Sequence, residues 1–325
     1  MAGLARRLAW ARQRLGVRGT KAAVGLLALA TLLLLWLALP RGCAVRGRPL
    51  GTTPLPPYPC PDMRPSLSMN CSAKDGLGEF RRRRPGARHL LAVLIPYRER
   101  ELELYQLMPL LEHRLARDGV DYVTIVVEQT DAYKFNRAAL MNVAFEFARA
   151  AGADYVALHD VDRFAAHPNL VYDYPGARFV HLTPAWSLFD GGYPEFLGGI
   201  GLLSADNYAR INGMGTDFWG WGAEDDDLYR RVTDAGIPID RPCVPLQDQA
   251  TAVLHFHSRK RTFGPTVPPE QRPPHNISYG LNTTQYTVEG VSDCAFMFGS
   301  GTCAGFYLVR VRLHCNEQVE PWCRA

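Results

Sequence analysis

Three short stretches of the chain combine side chains that handle protons, cations or sugars. Phe218-Trp-Gly-Trp-Gly-Ala-Glu-Asp-Asp-Asp227 sets four consecutive acids, Glu224 to Asp227, behind two tryptophans separated by one glycine. Adjacent carboxylates repel one another, so the run is either the acidic first turn of a helix or a site. At a site the rings stack on a ligand, the glycines let backbone approach, and one carboxylate accepts a proton. Leu228, Val232 and Ala235 recur at helical spacing and Gly236 stops them, so a helix starts here in either case. His159-Asp-Val-Asp162 places two carboxylates two residues apart, and in extended chain both face one way and can converge on a cation. His255-Phe-His257 repeats that spacing with imidazoles. With Asp162 the two histidines make a mixed nitrogen and oxygen ligand set, which suits Mn2+ better than Ca2+. Taken alone, D-x-D and H-x-H are also common surface patterns. No G-x-x-x-x-G-K-[ST] or G-x-G-x-x-G occurs, so a carboxylate-held divalent ion is the available means of handling phosphate.

The elements that must position these residues follow from periodicity. Leu90–Ile95 is an apolar run of buried-strand type, ended by Pro96. Residues 99–115 carry Leu102, Leu107, Leu111 and Leu115 at helical spacing. Tyr122–Val127 is a β-branched strand, Arg137–Ala150 a helix with Ala138, Met141, Phe145 and Ala148 on one face, and Tyr155–His159 a third strand. This alternation predicts right-handed crossovers and a mostly parallel α/β sheet. Ligands of such sheets bind at the carboxyl ends of strands, where residues 159–162 fall. Phe196–Leu203 reads as a further strand containing a close-approach glycine pair. After Arg261 the chain is proline-rich and loop-like, ending in a strand over Phe306–Leu313.

Charge is distributed unevenly. Nine of the 36 basic residues and none of the 32 acids precede Pro61, so the remainder carries 27 basic against 32 acidic residues, a net −5. A slightly acidic body argues against nucleic acid as partner. Arg6, Arg7, Arg12, Arg14, Arg18 and Lys21 precede an uncharged run over 22–39, near the ~20 residues that span a bilayer. Basic residues ahead of the run place the N-terminus in the cytosol and translocate the rest. The expected order is a basic tail over 1–21, a signal anchor over 22–39, a Pro-rich stem over 40–87 and a catalytic domain over 88–325. A cleaved signal peptide is the alternative, and Ala38-Leu-Pro-Arg41 is a poor cleavage site for one. Eight cysteines without a CxxC pair fit an oxidising lumen. Asn70, Asn276 and Asn282 open glycosylation sequons that fit the same compartment. Cys315 and Cys323 flank a short loop and are natural disulfide partners.

From about His89 to Cys323 the chain resembles the β-1,4-galactosyltransferase family, and within it the xylosylprotein branch. The resemblance rests on ordered motifs: Ile95-Pro-Tyr-Arg-Glu-Arg100, Phe135-Asn-Arg-Ala-Ala-Leu-Met-Asn-Val143, His159-Asp-Val-Asp162, Asn212-Gly-Met214 and the Trp/acid stretch. His255-Phe-His257, Gly280-Leu-Asn-Thr283 and Pro321-Trp-Cys323 follow in the same order. The resemblance implies a GT-A fold, a type II Golgi membrane anchor, UDP-galactose as donor, manganese as cofactor and xylosylated proteoglycan core proteins as acceptors. Golgi enzyme complexes are further expected partners. It implies inversion at the anomeric carbon, Asp225 as general base, and Asp162, His255 and His257 as metal ligands. Glu224 and Asp226 are implied on the acceptor. Pro96, Arg98, Arg100, Phe135, Arg137, Asp160, Val161, Tyr193, Gly199 and Trp221 are implied on the donor.

Four positions depart from the family pattern. Glu128 stands where asparagine is usual, Phe196 and Gly191 where tyrosine is usual, and Arg163 where an apolar residue is usual. Transfer to terminal N-acetylglucosamine is the alternative acceptor reading, and a non-catalytic sugar-binding protein is the alternative class. The latter predicts loss of the base or of a ligand, and all four residues are present.

Overall fold

The structure, a computed structural model, describes residues 68–74, 88–183, 193–256, 275–298 and 301–324. The tail over 1–21, the anchor over 22–39, most of the stem, Gly191 and the ligand candidate His257 lie outside the described residues. Among the described residues no helix is long and apolar enough to cross a membrane.

Continuous apolar runs form the centre of the sheet because both of its faces are covered. In β2 (Leu90–Tyr97), Ala92 and Leu94 join the core on one face, and Leu91, Val93 and Ile95 join the core on the other. In β3 (Asp121–Gln129) the same alternation sends Val123, Ile125 and Val127 to one side and Tyr122 and Val126 to the other. Helix α1 (Glu101–Asp118) covers the second face through Leu104, Leu107, Leu111 and Leu115. It ends at Gly119, whose φ of 72° is the left-handed turn that a side chain would oppose. Helix α2 (Arg137–Ala150) covers the first face, with Met141, Phe145 and Ala148 buried as the periodicity predicts. Asn136 caps α2 by accepting from the Ala139 N–H at 2.9 Å.

The strands β4 (Tyr155–His159), β5 (Arg163–Ala165), β6 (Phe179–His181) and β7 (Ile200–Ser204) follow, then helices α3 (Ala205–Arg210) and α4 (Glu224–Asp234). The chain closes with β8 (Ile239–Asp240), α5 (Gln249–Ala252), β9 (Val253–His255), β10 (Tyr286–Phe298) and β11 (Gly301–Leu313). With β1 (Ser68–Ala73), nine strands form one sheet in the order β1-β10-β11-β3-β2-β4-β7-β6-β8, and β5 pairs with β9 in a separate ribbon.

This sheet is mixed rather than mostly parallel. The β11–β3, β3–β2, β2–β4 and β6–β8 pairs are parallel. The β10–β11 hairpin, the β1–β10 edge and both pairings of β7 are antiparallel. Consecutive parallel strands need a crossover connection, and β10 and β11 are joined by a hairpin instead. The strand expected over Phe196–Leu203 begins only at Ile200, because Gly199 takes a φ of 84° that breaks extended chain.

Ser68–Ala73 falls within the stretch read as stem, yet it adds to the sheet as an edge strand. Cys71 lies in register opposite Cys294 and is disulfide-bonded to it, with the Cα atoms 4.1 Å apart. The folded body therefore reaches back at least to residue 68. The expected Cys315–Cys323 disulfide is present, with Cα atoms 6.6 Å apart.

Candidate active site

The carboxyl end of β4 carries the first half of the site. His159 is fully buried, with Nδ1 2.8 Å from the Asp160 carbonyl and Nε2 3.0 Å from the Tyr172 hydroxyl. Burial pushes its pKa down to about 4, so the ring is neutral and structural. Arg137 Nε donates to Asp160 Oδ1 at 2.7 Å, and Arg163 Nε lies 3.9 Å from Oδ2. Burial alone would raise the Asp160 carboxyl, but the two guanidinium groups hold it below the ordinary carboxylate range.

Beyond it, Asp162 Oδ1 lies 3.8 Å from His255 Nε2. The β5–β9 ribbon creates this approach by setting Arg163 opposite His255, and the Phe256 N–H donates to the Asp162 carbonyl at 2.8 Å. With metal–ligand bonds of about 2.1 Å, both groups can reach one cation. The nitrogen and oxygen donors fit manganese. Among the described residues no third His, Cys, Asp or Glu completes a metal-binding group, and His257 lies outside them. Val161, between the two acids, is buried.

The Trp/acid stretch forms the second half. Gly220, Gly222 and Ala223 all have positive φ, so the chain coils tightly into α4 with no side-chain cap on its first N–H groups. The four acids stand in that first turn, where the helix dipole offsets part of their repulsion. Helical geometry then sends them in different directions. Asp225 Oδ2 faces Gly198, where an added Cβ would lie 3.0 Å from it. Burial, then the charges of Glu224 and Asp226, push the Asp225 carboxyl up to about 7. Glu224 is raised as well, chiefly by burial, and its Oε2 is buried without a hydrogen-bond partner among the described residues. Asp226 accepts from the Tyr193 hydroxyl at 2.5 Å.

Asp227 turns inward and is structural. It accepts from Arg231 Nε at 2.5 Å and from the His275 ring at 2.6 Å. Arg231 in turn donates to the carbonyls of Asn276 and Tyr279, which ties residues 275–280 to α4. The i, i+4 spacing of Asp227 and Arg231 was the available signal for this pair.

The remaining candidates surround these two halves. Arg98 donates to the Tyr133 carbonyl at 2.7 Å and lies over the Phe135 ring, 5.5 Å from its centroid. Phe135 accepts from the Gly220 N–H at 2.9 Å, which joins the donor-side segment to the Trp/acid stretch. Pro96 closes the buried part of β2, and Arg100 heads α1, 4.0 Å from Glu103. Trp221 is 52 % exposed, whereas Trp219 is buried and donates to Glu320 at 2.7 Å. The tryptophans therefore divide into one at the surface and one that anchors the C-terminal segment.

Gly199 leaves no room for a side chain, since a Cβ would stand 2.2 Å from Thr183 Oγ1. Thr183 and His181 both bond the Gly198 carbonyl at 2.8 Å, and residue reasoning missed that support beneath the glycine pair. Two of the departures have local partners: Glu128 pairs with Arg310 across β3 and β11 at 3.1 Å, and Phe196 packs against His181 and Tyr193. Asn70, Asn276 and Asn282 are all exposed.

Comparison with known proteins finds the same fold. Residues 65–174 match the family model described as the N-terminal region of glycosyl transferase group 7, and residues 180–258 that described as the N-terminal domain of galactosyltransferase. The xylosylprotein 4-beta-galactosyltransferase of Caenorhabditis elegans is 32% identical over 245 residues, 73% of this chain and 83% of that protein. Human beta-1,4-galactosyltransferase 7 is 33% identical over 309 residues, covering 92% of this chain and 88% of its own. The solved catalytic domain of Drosophila beta-1,4-galactosyltransferase 7, in complex with xylobiose, superposes with a TM-score of 0.66 at 32% identity. That likeness covers 73% of this chain and 99% of the Drosophila one. A mutant of the Drosophila enzyme solved with manganese, UDP-Gal and xylobiose gives a TM-score of 0.65 over the same shares. Fold, ordered motifs and relatives agree: this chain is a member of the β-1,4-galactosyltransferase family.

Proposed function

We propose that the protein transfers galactose from UDP-galactose to the 4-hydroxyl of β-xylose on proteoglycan core proteins, with inversion and in the presence of Mn2+. One observation carries the reading: a carboxyl poised near neutrality, Asp225, stands in one site with an Asp162–His255 pair suited to a divalent cation. The relatives named for transfer to xylose, and the one solved with manganese, UDP-Gal and xylobiose, support the same assignment. Asp225 takes the proton from the acceptor hydroxyl as its oxygen bonds to the anomeric carbon. The bond from that carbon to the UDP oxygen breaks on the opposite face, and UDP leaves with the electron pair. Mn2+, when bound, supplies positive charge to the diphosphate. Asp162, His255 and His257 would hold it. Glu224 and Asp226 orient the acceptor, and Asp226 is itself fixed by Tyr193. Arg98, Phe135, Arg137, Asp160, Gly199 and Trp221 shape the donor side.

The same reading places the catalytic body in the Golgi lumen behind a type II anchor over 22–39. Six basic residues ahead of that run, the Cys71–Cys294 and Cys315–Cys323 disulfides and three exposed sequons support this. Incubation of the purified protein with UDP-galactose and either a β-xyloside or N-acetylglucosamine tests the acceptor. Turnover is expected on the xyloside, and turnover on N-acetylglucosamine alone would sink the assignment.

A further inference from the structure

Arg163 directly follows Asp162 at one of the positions that depart from the family pattern. Its side chain is 11 % exposed. A guanidinium carries five N–H donors and keeps its charge, so burial demands acceptors. Two other buried arginines have them. Arg114 donates to the Ala165 and Leu170 carbonyls and pairs with Asp118, and Arg231 is held by Asp227 and the Tyr279 carbonyl. Among the described residues the Arg163 guanidinium makes no hydrogen bond; the backbone N–H donates to the Asp160 carbonyl. Its carboxylate neighbour Asp160 stands at 3.9 Å, beyond hydrogen-bond reach, and already accepts from Arg137 at 2.7 Å.

The surroundings of Arg163 fix where its charge acts. Directly opposed residues of an antiparallel pair leave it on one face, so Arg163 shares a face with His255. Its Cδ would stand 3.0 Å from a Cβ on Gly199, the residue after the one that faces Asp225. A guanidinium whose N–H groups have no acceptor among the described residues therefore lies beside the candidate metal pair and against the glycine turn.

We propose that Arg163 binds the diphosphate of the nucleotide-sugar donor, adding a permanent positive charge beside the one that the Asp162–His255 pair would hold. The planar fork of a guanidinium matches phosphate oxygens bidentately, which an apolar residue at this position cannot do. The inference rests on the donor reading above. Because this charge does not depend on a metal, part of the affinity for UDP survives chelation.

Calorimetric binding of UDP and of uridine to the whole protein, in EDTA and in Mn2+, tests it. Arg163→Met is expected to weaken UDP binding in EDTA by about tenfold or more while leaving uridine unchanged. Arg163→Lys keeps the charge without the fork and is expected to fall between the two. Should the Met variant fail to fold, the Lys variant decides: a several-fold loss for UDP with uridine unchanged supports the contact. Equal UDP affinity in variant and wild type overturns the proposal. So does an equal loss for UDP and uridine, since Arg163 would then only be steadying Asp160. Failure of the wild type to bind UDP under any condition would instead remove the donor reading itself.

Discussion

Two groups of carboxylates share one site, and the protein treats them oppositely. Asp160 sits between Arg137 and Arg163 and stays ionised despite burial. Asp225 sits between Glu224 and Asp226, and burial plus like charge leave it titrating near 7. Arg137 moderates both clusters through its charge, but of these carboxylates it donates a hydrogen bond to Asp160 alone. The lesson is that residue type assigns no role here. A carboxylate flanked by arginines is preset as a fixed charge, and one crowded by other acids is left free to take a proton.

That contrast can be broken at its proton-accepting end first. Asp225→Asn is expected to lower turnover by about 10^3-fold while leaving UDP affinity intact. Retained turnover would return Asp225 to the status of a helix-start acid. The same substitution bears on stability. Burial raises this carboxyl in the folded chain, so the folded state keeps the proton to higher pH than the unfolded state does. The stability linked to that proton is complete below the ordinary carboxylate pKa and is lost as pH rises through about 7. Asp225→Asn should therefore melt above wild type at pH 8, by about 2 °C or more, and match it near pH 4.

At the other cluster, Asp162→Asn or His255→Ala is expected to raise the Mn2+ concentration for half-maximal activity by about tenfold or more. An unchanged metal titration would remove that residue from the ligand set. A gentler probe is the pH profile. kcat/KM should fall about tenfold per unit below an apparent pKa near 7 and level off above it, and a profile flat from 5.5 to 8 would contradict the titrating base. Glu128→Asn should do least. Its exposed pairing with Arg310 contributes about 0.2–1 kcal/mol, so thermal melting is the measurement and a larger loss would reveal a second role.

Local pattern made the centre of the fold legible. Strands at 90–97, 121–129 and 155–159 and the helix at 137–150 follow from apolar runs and 3.6-residue periodicity, because each is buried on the faces those patterns mark. The edge of the sheet was not legible. Ser68–Ala73 lies among prolines, and its place depends on β10, more than 200 residues later in the chain. Tyr286–Phe298 follows a proline-rich segment and alternates weakly, so a 13-residue strand read as loop. In the site, the spacing of Asp160, Asp162 and His255 announced a cation site, and the fold brings Asp162 and His255 together. The division of the four acids was hidden, since Glu224 to Asp227 look alike in sequence and only the turn of the helix separates Asp225 from the inward Asp227.

The Cys71–Cys294 bond has a mechanical side. The described part of the body begins at residue 68 with β1, the outermost strand on one side of the sheet. A pull applied to β1 would load six residue pairs of an edge ladder, an arrangement that peels readily one pair at a time. The covalent link in the middle of the ladder arrests such peeling at residue 71 and passes the load to β10, the longer inner neighbour. The strand that leads into the D-x-D residues stands five places from β1, about 24 Å at ~4.8 Å per strand. A load applied to β1 is thereby taken up in the far margin of the sheet, away from the candidate site.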